Sequence, residues 1–205
     1  MSHNVTTEEV SKGFGMKDMI VTGVFAALIL ILSASVGGVF AINPMLTFFF
    51  PMGAALLPGP VFMLYLAKVR KRGGLSIIGI VIAVLVFITG MHWGMAVGSV
   101  VCAIIADLVS GSKNYADKRV NVLAYIIYSF GTSGSYIAFF ANPDAWARFM
   151  IGNGTTQEYI NTMKEVATGY TILWMLAGTA IVAALSGGVG CHLMKKQFEK
   201  AGIVA

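Results

Sequence analysis

The sequence predicts an all-α fold: a polytopic membrane protein of six transmembrane helices. Three observations predict it. Of 205 residues, 57% are hydrophobic and only 11% charged, with a mean hydropathy of +0.80, which leaves too little polar surface to coat a water-soluble domain. The apolar residues fall into runs, several of them near the roughly 20 residues a helix needs to cross the hydrocarbon. Lys and Arg gather in short stretches between those runs, the pattern that keeps a loop on the cytoplasmic side.

Residues 1–16 are a polar leader at the cytoplasmic surface, with no small-residue cleavage site to mark a signal peptide. The membrane domain covers 17–198, and 199–205 form a cytoplasmic tail. Lys17-Asp18 opens the first span, Met19 to about Val36. Gly23 and Ala27 lie four residues apart on one face of it, with Ala26 beside them, a spacing that lets another helix approach closely. Gly37 and Gly38 loosen its end, and Asn43-Pro44 marks the outer turn.

The second run, Met45 to Ala67, contains Pro51, Pro58 and Pro60. Proline removes a backbone donor, so two pieces meeting near Pro58-Gly59-Pro60 are expected. The run ends in Lys68, Arg70, Lys71 and Arg72, four cations in five residues that anchor the topology. Leu75 to Thr89 crosses outward, Gly90-Met-His92-Trp93-Gly94 turns, and Met95 to Val109 returns. Gly90, Gly94 and Gly98 repeat at helical spacing, another signal for close helix contact.

A fifth run, Val120 to Ala141, passes through the small, polar patch Gly131-Thr-Ser-Gly-Ser-Tyr136. Residues 142–165 form the long outer loop, where Thr155-Thr-Gln-Glu158 has capping-box spacing and a stripe from Tyr159 to Tyr170 has helical spacing. Unbroken to Phe198, that helix would be about 64 Å long, so a bend near Gly169 is expected before the sixth span, Gly169 to Gly190. With both termini inside, 12 cations are cytoplasmic and only Arg148 and Lys164 are outside.

No sequence pattern indicates an enzyme. There is no HExxH, no Walker A and no serine elbow, and the three histidines fall at different membrane depths, so no metal or cofactor is expected. Cations at membrane edges point to lipid rather than nucleic acid. Asp107 is the one carboxylate inside a span, near its cytoplasmic end, where a pair with Arg70 or Arg72 is expected. Polar and aromatic residues concentrate at the outer end, Ser135 and Tyr159 among them. They suit an interfacial belt residue by residue, and a small-ligand pocket as a set.

The Lys17-Asp18 entry, the Gly59-Pro60 break, the Lys-Val and Lys-Arg-Gly run, His92-Trp93 and Ile104-Ile-Ala-Asp107 before a Gly-Ser-Lys loop together resemble the substrate-binding S components of energy-coupling factor (ECF) transporters, in particular the integral membrane branch called Trep_Strep. The resemblance implies an S-component-like bundle in a bacterial or archaeal cell membrane. It implies capture of a vitamin, cofactor precursor or related small-molecule substrate, and docking on a T protein that works with two ATPase subunits. Gly23 and Ala27, with Ala26 adjacent, match the docking face, although the family pattern is Ala-xxx-Ala. Substrate contacts are implied at Asn43 in the first outer loop and at His92 and Trp93 in the next. Tyr136, Asn142 and Trp146, with Tyr170 and Trp174, complete them around the last outer loop. The alternatives are a stand-alone small carrier or channel, and an assembly subunit of another membrane complex.

Overall fold

The computed structural model describes residues 14–194, and among these every regular element is helical. The α-helices are α1 (Met16–Ile42), α2 (Phe50–Leu56), α3 (Gly59–Lys68), α4 (Gly74–Ile88), α5 (Trp93–Gly111), α6 (Lys118–Ser129), α7 (Gly134–Ala141), α8 (Pro143–Gly152), α9 (Gln157–Val166) and α10 (Gly169–Leu193). Four stretches are long and apolar enough to cross a membrane: α1, α5, the composite Lys118–Ala141, and α10. A fifth is the pair Thr47–Leu56 and Gly59–Lys68, bent by 45°. Helix α4 has 15 residues, about 22 Å of rise against a hydrocarbon core of about 30 Å, so the sixth span of the sequence reading rests on a short helix.

The proline break forms where chain chemistry requires it, and a neighbouring helix repairs it. Pro60 has no N–H to offer the Leu56 carbonyl, so Ser186 on α10 donates to that oxygen at 2.6 Å. The Ser186 hydroxyl also accepts the Gly59 N–H at 3.2 Å, and Tyr125 on α6 donates to Ala55 O at 2.7 Å. Freed backbone groups are thus satisfied by protein, as a lipid environment demands.

Glycines set the helix spacing. A Cβ on Gly134 or Gly98 would run into the carbonyl oxygen of Gly94 or Gly131, so α5 meets the Gly131–Gly134 segment backbone to backbone. Gly90 does not belong to this contact: it sits in the turn at φ +83°. Gly37 and Gly38 do not end α1 either. The helix runs on to Ile42, and a Cβ on Gly37 would lie 3.1 Å from the Phe50 ring.

The basic loops share one end of the bundle. There Lys71 pairs with Asp18 at 2.7 Å. The Asp107 carboxylate, expected beside Arg70 or Arg72, accepts from Gly73 N–H at 2.7 Å, from the Ser76 hydroxyl at 2.9 Å and from the Tyr115 hydroxyl at 2.7 Å. It therefore caps the first turn of α4 from another helix. Tyr115 is held at φ +59°, an uncommon conformation for a bulky residue. Among the described residues, eight cations (Lys17, Lys68, Arg70, Lys71, Arg72, Lys113, Lys118, Arg119) lie toward this end and two, Arg148 and Lys164, toward the other. Lys12, Lys195, Lys196 and Lys200 lie outside the described residues.

Two cores result. One is built around Phe62, Tyr65, Ile78 and Tyr125 in the body of the bundle. The other, around Phe48, Tyr136, Phe139, Trp146 and Met163, lies at the end opposite the basic loops. It exists because residues 142–168 fold into two helices rather than one: α8 starts at Pro143 with Asn142 as its cap, and α9 starts at Gln157, with Thr156 rather than Thr155 as its cap.

Candidate functional site

Helices α8 and α9 cover a cavity of about 370 Å³ at that end, within the range of roughly 300–1,000 Å³ usual for small-molecule sites. Tyr136 reaches it from α7, where a buried hydroxyl needs a partner and finds Thr47 at 3.2 Å. Its ring packs against Phe48 with centroids 5.7 Å apart. Trp146 reaches it from α8, donating its indole N–H to the Ser135 hydroxyl at 3.0 Å. Tyr159 reaches it from α9 and donates to the Ala41 carbonyl at 2.7 Å, tying the outer helix to the end of α1. Burial pushes the Tyr159 hydroxyl pKa up, which keeps it a donor.

Met91, Met95, Met150 and Met163 supply much of the remaining wall. Methionine is unbranched and polarizable, and it adapts to a ligand's shape. Gly154–Thr156 and Tyr159 add hydroxyls to the lining but no charge. The chemistry on offer is hydrogen bonding and aromatic contact.

His92 stands behind this wall. Its Nδ1 accepts the Gly94 N–H at 3.0 Å, capping α5, so the neutral ring carries its proton on Nε2. The ring stacks on Trp146 at 6.1 Å and 28° and meets the Phe149 ring edge-on at 5.0 Å. Burial lowers its pKa, because the site disfavours the imidazolium.

This arrangement lies within a sequence match that spans nearly all of the helices. The family model described as hypothetical bacterial integral membrane protein, Trep_Strep, matches residues 16–200. The chain belongs to the Trep_Strep family. No curated protein and no solved structure matches it. Membership makes it a bacterial integral membrane protein, in agreement with the apolar helices.

Within this Trep_Strep fold the residues singled out from sequence separate into two groups. Tyr136 and Trp146 line the cavity and His92 supports Trp146. Trp93, Tyr170 and Trp174 are 50%, 73% and 69% exposed and point away from it. These three have the placement of an interfacial aromatic belt. Asn43 and Asn142 spend their side chains on backbone: Asn43 accepts Met45 N–H and Asn142 accepts Ala145 N–H, each at 2.9 Å. On α1, Gly23 and Ala27 are exposed, whereas Ala26 is fully buried in the core. Sequence reasoning missed Thr47, Phe50 and the four methionines, which carry no motif. Phe50 was one of three consecutive phenylalanines, and only the helix direction distinguishes it.

Proposed function

We propose that this Trep_Strep protein is the substrate-capture subunit of an ATP-driven importer of the ECF type, with six spans and both termini in the cytoplasm. It binds a small micronutrient such as a vitamin or cofactor precursor from outside. It then docks on a membrane T protein whose two ATPase partners hydrolyse the nucleotide. The observation that carries this reading is the cavity beneath α8 and α9, which lies at the end away from the basic loops. Under the positive-inside rule that end faces outward. A receptor needs a pocket with a cover, and a two-helix cover tied down by the Tyr159–Ala41 and Trp146–Ser135 bonds supplies one.

The exposed face of α1 supports the docking half of the proposal. A Cβ on Gly23 meets nothing within 4 Å, and Ala27 is exposed one turn on, leaving a shallow small-residue stripe along a helix that presents much of its surface outward. Mass spectrometry of small molecules that travel with the protein purified in native lipid is the direct test. A single compound retained by the wild type and lost from Tyr136→Phe with Tyr159→Phe is expected. Uptake of that compound by vesicles holding this chain alone would overturn the reading in favour of a self-sufficient carrier.

A further inference from the structure

The capture cavity does not end at its aromatic wall. A second cavity of about 340 Å³ lies deeper in the bundle, between α1, α4, α5 and α6. The two share Ala41, Phe50, Met91 and Met95 as lining residues and so adjoin across them. Their chemistry differs. The outer one carries the Thr155 hydroxyl and the Tyr136 and Tyr159 oxygens, which can still accept, beside the Trp146 ring, whose N–H is already given to Ser135; the deeper one is walled by Leu30, Ile82, Leu85 and Val86. Ser99, Thr89 and Thr132 also line the deeper one, but each donates its hydroxyl to a backbone carbonyl of its own helix or turn. Ser33 and Tyr128 also line the deeper cavity, and neither hydroxyl has a hydrogen-bond partner among the described residues. Neither lining contains an Asp, Glu, Lys, Arg or His.

We infer that the ligand of this site is an uncharged, elongated amphiphile, with a hydrogen-bonding head beneath α8 and α9 and an apolar arm that passes Phe50 and Met95 toward Tyr128. The inference rests on the capture-subunit reading and narrows its substrate class. A hydrocarbon arm gains about 25 cal/mol for each Å² removed from water. An ionised head or arm would lose its hydration and meet no counter-charge in either wall, which is prohibitive in a low-dielectric site. The Tyr128 and Ser33 hydroxyls offer two isolated polar contacts along the arm, suited to an ether, ester or carbonyl oxygen.

Gly38 makes the arm testable. It lines the deeper cavity, and a Cβ there meets nothing within 4 Å, so Gly38→Leu starts from open space and is chosen to fill it; Ser33→Leu is a second filler from the same wall. The probes are a diazirine-bearing octanol and the matching diazirine-bearing octanoate. Each is photolysed with the full chain in lipid nanodiscs, with and without excess unlabelled octanol, and the adducts are mapped by peptide mass spectrometry. Saturable octanol adducts are expected on the segments 82–95 and 128–132, at least ten-fold weaker with octanoate and lost in both filled variants while the thermal midpoint is unchanged. Equal labelling by octanoate, or saturable labelling that survives both fillers, overturns the inference and leaves the capture-subunit reading standing. No saturable labelling also overturns it. If the molecule that travels with the purified protein proves to be charged, the inference fails while that reading gains its ligand.

Discussion

The indole N–H of Trp146 donates to the Ser135 hydroxyl at 3.0 Å, joining the outer helix α8 to the membrane-embedded chain just before Tyr136. Around this bond the Trp146 ring is clamped edge-on by Phe139, 5.2 Å away at 87°, and stacked by His92. The cover over the cavity is therefore anchored by a residue that also forms its wall. Trp146→Phe keeps the ring contacts and removes the hydrogen bond, and it should destabilise the protein by about 1 kcal/mol. Trp146→Ala empties a buried aromatic site and should cost about 3–5 kcal/mol. Denaturant unfolding in mild detergent, followed by tyrosine and tryptophan fluorescence, measures both; equal losses would mean that packing contributes nothing beyond the bond.

At the basic end, Tyr115 and Asp107 form the corresponding tie. Asp107→Ala leaves the Gly73 N–H and the Ser76 and Tyr115 hydroxyls without their acceptor, and a loss of about 3 kcal/mol is expected. Tyr115→Phe removes one donor and should cost about 1–2 kcal/mol. Because the two residues share a bond, the double variant should fall short of the sum. Strict additivity in the unfolding free energies would show that the bond is energetically silent.

Gly134→Ala and Gly23→Ala are the same substitution with opposite outcomes. At Gly134 the new methyl meets the Gly94 carbonyl, so α5 must move; overpacking of this kind costs about 1–3 kcal/mol. At Gly23 there is open space, and stability should stay within about 0.5 kcal/mol. A thermal-shift series in one detergent decides the matter, and a destabilised Gly23→Ala would contradict the outward placement of that face.

On the proposed importer reading, replacing Gly23 and Ala27 together with Leu should leave the fold and ligand retention intact and abolish co-purification with a T protein. The test is affinity capture from cells expressing all subunits. Retention of the complex at wild-type level would remove α1 from the docking surface.

Acid should weaken the outer end in two stages. Burial lowers the His92 pKa from 6.5, so the unfolded chain binds that proton first. Stability supplied by the neutral ring is full above about pH 6.5 and declines as pH falls toward the folded value. Lys164, bonded to Asp144 at 2.6 Å, lowers that carboxylate's pKa below its usual 3.8. Its smaller, solvent-screened contribution is present above about pH 4 and lost as pH falls through the folded value. His92→Asn can keep the cap on α5 through its side-chain oxygen, and it should flatten the decline below pH 6.5 while leaving the lower stage. Unfolding midpoints between about pH 2 and 8 would reveal both, and an unchanged upper stage in His92→Asn would assign it elsewhere.

Most of the helical order was legible from the chain. The Pro58–Pro60 break, the turns at Asn43 and Gly90 and the separation of α9 from α10 near Gly169 all fall where the backbone chemistry of Pro, Gly and Asn acts locally. The length of α1 was not: Gly37 reads as a helix end, yet α1 runs on to Ile42 and the Phe50 ring packs against the space a side chain at Gly37 would need. Likewise α8 was hidden in what read as a connection, because Pro143 with an Asn cap marks a start only once Trp146 has a core to enter.

Hydropathy and charge, which depend on composition along the chain, by themselves determined the membrane class, the apolar runs and the segregation of basic loops to one end. The tertiary structure alone decided which aromatics form a site. Trp93, Trp146 and Trp174 are chemically alike, and a tryptophan is stable both at a lipid interface and in a cavity wall. Only the rotation of each helix against its neighbours turned Trp146 inward and the other two outward.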